Sequence, residues 1–126
     1  MQDFRKLKVW HEGHAHILNV RAATNRFPRS GYSTLKNQLI GAVESINFNI
    51  VEGCGAASQK EFARFLDISI KSSSEVEYQL QLGHDYGILP DTEWESLSET
   101  TVKIRKMLCQ LRKRVIESIE GEEEAE

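Results

Sequence analysis

Residues Gln38–Leu66 read QLIGAVESINFNIVEGCGAASQKEFARFL. In the first half, Leu39, Ala42, Val43, Ile46 and Ile50 recur at three- and four-residue steps, which is one apolar stripe on a helix. In the second half, Ser58 precedes Glu61 by three residues, the capping-box start of another helix. Between them, Gly53, Cys54 and Gly55 interrupt the pattern without a proline. Two long helices meeting at a glycine corner predict an antiparallel hairpin.

Working outward, the N-terminal segment carries Phe4, Leu7, Trp10, Ile17, Leu18 and Ala22 and predicts a helix from about Leu7 to Arg26. Phe27-Pro28 ends it, because a residue before proline is pushed out of the helical region. Arg29–Tyr32 is the turn, and Ser33 or Thr34 is expected to cap the second helix. Gln38, Asn47, Asn49 and Glu52 lie close to that helix's apolar stripe, so some of them must be partly buried and hydrogen-bonded. The third helix runs from Ser58 to about Tyr86, with Ser69, Ser72, Ser73 and Ser74 where larger residues are usual. Small side chains let a neighbouring helix come close, so this run reads as a tight crossing. Gly87 ends the helix, Leu89-Pro90 turns the chain, and Asp91 is expected to cap the fourth.

In the fourth helix Trp94, Leu97, Thr101, Ile104, Leu108, Leu111 and Val115 alternate steps of three and four, the seam of a bundle helix. No stretch alternates like a strand. The prediction is an all-α, antiparallel up-down-up-down four-helix bundle, a single domain over residues 1–119 with an acidic tail, 120–126, expected to fray.

At 126 residues the chain is long enough for one real core. No apolar run reaches membrane-spanning length, and MQDFRKLKVW lacks the oily centre of a signal peptide. Cys54 and Cys109 have no neighbouring thiol in sequence, which fits reduced cysteines in the cytoplasm. The net charge of −3 hides a segregated pattern. Residues 1–36 are basic apart from Asp3 and Glu12, and residues 37–99 are acidic apart from Lys60, Arg64 and Lys71. Residues 100–119 turn basic again, with Glu117 their lone acid.

Several motifs together resemble a known family. Phe4-x-x-Leu-x-Val-Trp10, Phe27-Pro28, Gln38-Leu39, Ser45-Ile46, Asn49-Ile50-x-Glu52-Gly53 and Lys60-Glu61-Phe62-x-Arg64-Phe65-Leu66 occur in this order, followed by Glu77-x-Gln79-Leu80 and Met107-Leu108. In these the chain resembles, over about residues 4–115, the bacterial four-helix proteins encoded in intervening sequences of 23S ribosomal RNA genes. It is similar through them to the accessory variability protein of diversity-generating retroelements. The resemblance implies a bundle assembled as a homopentameric ring without catalytic activity of its own, with RNA or a reverse-transcriptase-like protein as partner. Members typically carry two arginines after the Gln-Leu pair, where this chain has Ile40 and Gly41, and one after the glycine corner, where it has Ala56. Both departures remove positive charge.

The chemistry-bearing residues point away from catalysis. His11, Glu12, His14 and His16 do not have the His-Glu-x-x-His spacing of a zinc hydrolase, and two imidazoles one turn apart lack a third ligand. They read as solvated or packing side chains, with no metal or cofactor expected. Cys54 stands at a corner without a histidine near it in sequence, and the serine run lacks a Gly-x-Ser-x-Gly elbow. Glu75 and Glu77 lie on opposite sides of their helix, and no glycine-rich phosphate loop exists. A non-enzyme is expected.

The strongest surface signal is the run Lys103, Arg105, Lys106, Arg112, Lys113 and Arg114. One reading is a solvated face that complements the negative end of the helix dipole. The other is a phosphate-contacting patch, joined by Arg5, Lys6, Lys8 and Arg21 because the first and last helices of an up-down bundle are neighbours. No aromatic interleaving accompanies it, so binding is expected to be electrostatic and salt-dependent. These readings define two expected functions: an oligomeric scaffold or adaptor that binds RNA or an RNA-handling protein, or an assembly module that binds protein alone. A third reading uses the same charges differently: in a head-to-tail ring the positive half of one protomer faces the negative half of the next.

Overall fold

The computed structural model describes residues 2–125. It contains four helices: α1 over Lys8–Thr24, α2 over Ser33–Cys54, α3 over Gln59–Asp85 and α4 over Asp91–Ala125. A single 3₁₀ turn, Phe4–Lys6, leads into α1, and there is no strand among the described residues. No helix among them is long and apolar enough to cross a membrane.

Hydrogen bonds between helices define the topology. Asn47 of α2 donates to the Trp10 carbonyl of α1 (3.0 Å). Between α2 and α3, the Ser69 hydroxyl donates to the Ile46 carbonyl (2.8 Å), and Ser45 and Ser72 share a bond of 2.8 Å. Between α3 and α4, Glu77 meets Arg105 and Asp67 meets Arg112. Between α1 and α4, Glu12 meets Lys103 and His16 meets Thr101. In the last three pairs of helices one number rises as its partner's falls, so these neighbours are antiparallel. Each helix packs on the next, and α4 closes back on α1. This is the expected up-down-up-down bundle.

The core is built from the apolar stripes read in the sequence. Leu39, Ile46 and Ile50 of α2, Leu66 and Leu80 of α3, and Ile104 and Leu108 of α4 are all at most 1 % exposed. Burying each contributes about 1.5–3 kcal/mol. α1 contributes less oil: Val9, Val20 and Ala23 are buried beside the polar His16 and Thr24. The serines of α3 do let α2 approach closely. Ser69, Ser72 and Ser73 are buried with their hydroxyls bonded to Ile46, Ser45 and Ile70.

Helix ends follow local chemistry, with two corrections. The Ser58 hydroxyl accepts from the Glu61 N–H (3.2 Å), as the capping box requires, although the Glu61 carboxylate turns to Arg64. Replacing Ser58 by Ala is expected to lower stability by about 1 kcal/mol, read as a shifted urea midpoint with unchanged slope. Gly87, at φ +79°, adopts the left-handed conformation that stops α3. Neither Ser33 nor Thr34 caps α2. Tyr32 holds the cap position without a side-chain bond, and both hydroxyl residues already lie inside the helix. Asp91 does not cap α4 either. Trp94 N–H bonds the Pro90 carbonyl (2.8 Å), and the Asp91 carboxylate accepts from His84 Nε2 (2.6 Å).

Of the polar residues near the α2 stripe, Asn47 and Asn49 are the ones drawn in, and Gln38 and Glu52 stay exposed. α4 runs past residue 119, where the sequence reading ends the domain, through the acidic stretch to Ala125. Glu123 there approaches Lys60 (3.7 Å). Glu126, the end of the tail expected to fray, lies outside the described residues.

Candidate nucleic-acid interface

The basic residues singled out in the sequence fall into three groups once the helices pack. The first is held by carboxylates of neighbouring helices. Arg105 donates to Glu77 (2.7 Å), Arg112 to Asp67, and Lys103 to Glu12 (3.1 Å). Antiparallel packing explains this: Asp67 and Glu77 sit ten residues apart on α3, opposite two arginines seven apart on α4. The expected split into a positive and a negative half is therefore only partly realised, because these charges cancel across the α3–α4 and α1–α4 contacts.

The second group meets at the seam of α1 and α4. Lys6 and Lys8, together with Leu7 and Val9, face Met107, Gln110, Leu111 and Arg114 across a groove of about 280 Å³. Arg5 stands on the same N-terminal turn, paired with Asp3 (3.7 Å) and lying over the Phe4 ring at 4.5 Å. Lys106 and Lys113 are exposed on α4 nearby. Among the described residues no carboxylate lies within 4.0 Å of Lys6, Lys8, Lys106, Lys113 or Arg114. At and beside this seam, these are the cations available to an anion.

The third group is Arg21 alone. At about 100° per residue it lies roughly 180° around α1 from Glu12, the residue that faces α4. It is exposed, on the side of α1 that carries His14, and does not join the seam.

The histidines that cluster in sequence separate in space. His11 Nε2 bonds the Arg5 carbonyl (2.6 Å), which fastens the 3₁₀ turn to α1. His14 is exposed and stacks on Trp10. His16 is buried, with Nε2 2.8 Å from Thr101 Oγ1. The Thr101 hydroxyl itself donates to the Leu97 carbonyl, so Nε2 carries the proton and donates. Its Nδ1 is left without a partner, and burial pushes the imidazole pKa down to about 4 against a smaller opposing pull from Glu12. Cys54 is buried at the α2–α3 corner, where burial and, secondarily, the Asp3 carboxylate push its thiol pKa up. That is the reverse of an activated nucleophile.

One feature corrects the sequence reading outright. Phe4 and Trp10 lie 5.0 Å apart, and Trp10 and His14 lie 5.1 Å apart at 11°, with Arg5 over the Phe4 ring. Aromatic rings do interleave with the basic N-terminal segment. The signal in the sequence was the four-residue step from Trp10 to His14, which puts both rings on one helix face. The approach of Phe4 depends on the 3₁₀ turn and could not be read.

A solved structure shares this architecture: a protein of unknown function from the S23 ribosomal protein family of Bacteroides thetaiotaomicron VPI-5482. It is 22% identical and superposes with a TM-score of 0.78 over 83% of this chain and 98% of that one. At that identity the likeness concerns the fold. No protein of curated function matches the sequence. The model of the family described as 23S rRNA-intervening sequence protein matches residues 5–110, nearly all of the bundle, and the chain belongs to that family.

Proposed function

We propose that the protein is a non-catalytic, self-assembling adaptor of the cytoplasm that binds RNA through the α1–α4 seam. The observation that carries this reading is the meeting of Lys6, Lys8 and Arg114 along one groove, with no described carboxylate within salt-bridge reach. Cations at both ends of the sequence converge there without being neutralised, as contact with a phosphate chain requires. Lys106, Lys113 and Arg5 extend the positive surface on either side. The non-catalytic part of the reading is supported by buried serines bonded within the core and a Cys54 thiol held protonated.

Fluorescence polarisation with a labelled RNA 20-mer tests it. Three neutralised phosphates give a slope of about −2 for log affinity against log salt, so binding weakens roughly 40-fold between 50 and 300 mM. Lys6→Glu, Lys8→Glu and Arg114→Glu together should abolish the low-salt binding, while Arg105→Gln should leave the slope unchanged. Retention of RNA by the triple variant would refute the seam as the site.

A second reading, an assembly module that binds protein alone, draws on a different observation. Phe48 and Tyr78 are 64 % and 63 % exposed on α2 and α3, helices that carry few cations. Apolar rings of that size suit a contact between protomers, in a homopentameric ring or with a reverse-transcriptase-like protein. Native mass spectrometry showing an oligomer, with no RNA retained at either salt, would favour this reading over the first.

A further inference from the structure

We propose that the ring stack at the N-terminal end of α1, on the side of that helix away from α4, is a platform on which the unpaired bases of single-stranded RNA stack. This rests on the RNA-binding reading above and names the form of RNA the surface takes. Trp10 is the centre of the stack. Phe4 covers it at 5.0 Å, His11 meets its edge at 5.1 Å and 86°, and His14 lies nearly parallel to it at 5.1 Å and 11°. Trp10 is half-buried, and His11 is tied to the Arg5 carbonyl, so the rings are held in place before any ligand arrives.

His14 is the top layer: it is exposed, and Trp10 occupies only one of its faces. The side chain as a whole is exposed, and its planar ring matches a nucleobase in shape. Leu18, 57 % exposed, follows one turn later on the same stripe and offers an apolar ledge to the next base. Arg21 follows at roughly 20° from His14 and about 10 Å along the axis.

Charge selects the occupant. Arg5 lies over the Phe4 ring at the foot of the stack and Arg21 stands at its head, so cations bracket the rings along the path of a strand. The nearby acids of α1 and its leading turn are engaged, Asp3 with Arg5 and Glu12 with Lys103. A base–aromatic layer between phosphate-binding cations is the arrangement by which proteins hold single strands. A duplex keeps its base faces stacked inside the helix and has none to offer.

The test compares a single-stranded 20-mer with the duplex of the same sequence at low salt, using wild type, His14→Ala and His14→Phe. Wild type should prefer the single strand. His14→Ala should weaken single-strand binding about fivefold or more, leave duplex binding and the salt slope unchanged, and be rescued by His14→Phe, which keeps a ring. Equal binding of both RNAs, unaffected by either substitution, would overturn the platform and leave the electrostatic seam standing. Loss of binding in both variants would identify the imidazole as a hydrogen-bonding or charged contact and overturn stacking. No binding of either RNA by wild type would remove both proposals together.

Discussion

Gly13→Ala is expected to destabilise the bundle by about 2–4 kcal/mol, although alanine is the better helix former by about 1 kcal/mol. Gly13 is buried in the middle of α1, against α2. A Cβ there would sit 2.0 Å from Asn47 Oδ1 and 2.9 Å from its Cγ, far inside contact distance. Asn47 is itself buried and donates to the Trp10 carbonyl, so moving it aside breaks that bond and strands a polar group. The glycine is therefore required by the approach of another helix's side chain, and not by a turn. The three nearest atoms all belong to Asn47, so the double variant Gly13→Ala, Asn47→Ala should recover most of the loss that Gly13→Ala causes. A double-mutant cycle in urea should show coupling of about 2 kcal/mol. Additive losses would mean that something other than Asn47 demands the glycine.

Acid should destabilise this protein through His16. Its imidazole is 1 % exposed in the α1–α4 contact, with Nδ1 unpartnered and its pKa lowered to about 4. The unfolded chain binds a proton at this residue near pH 6.5, and the folded chain does so only near pH 4. Between those values the unfolded state holds more protons, so stability falls as the pH falls and levels off below about 4. The full contribution is about 3 kcal/mol, of which about 2 kcal/mol is lost between pH 7.5 and 5. His16→Leu removes the titration and keeps the volume similar. The Thr101 hydroxyl retains its bond to Leu97, so that variant leaves no orphaned donor there. Measured against it, wild type should lose about 2 kcal/mol more between pH 7.5 and 5 in urea titrations. Parallel pH dependence in the two proteins would show that His16 is charged or solvated in the native state.

Both effects arise from α1, which has the poorest apolar stripe of the four helices. A helix that buries Gly13, His16 and Thr24 holds its place by fit and by hydrogen bonds more than by oil. The same helix carries Lys8 in the groove against α4 and, on the side away from α4, Trp10, His14 and Arg21. Weakening the α1 contacts should therefore disturb binding as well as stability.

Helix existence, order and pairing were readable from the chain alone. The three- and four-residue steps of Leu39 to Ile50 and of Trp94 to Val115 set which faces turn inward, and Pro28, Gly53, Gly55 and Gly87 set where the chain reverses. Short connections then leave antiparallel neighbours as the available arrangement, because each stripe must find another close by. These signals are local, and local periodicity is enough to specify them. The fate of the charges and rings was not local. Arg105 and Arg112 look like Lys106 and Lys113 in sequence, and only the register of α3 against α4 decides that the first two are taken by Glu77 and Asp67. Likewise the burial of His16 while His14 remains on the surface, and the meeting of Lys6 and Lys8 with Arg114, depend on the rotation of α1 against its neighbours. An ionic or polar side chain acquires its role from what lies across an interface, and that is determined only when the helices have packed.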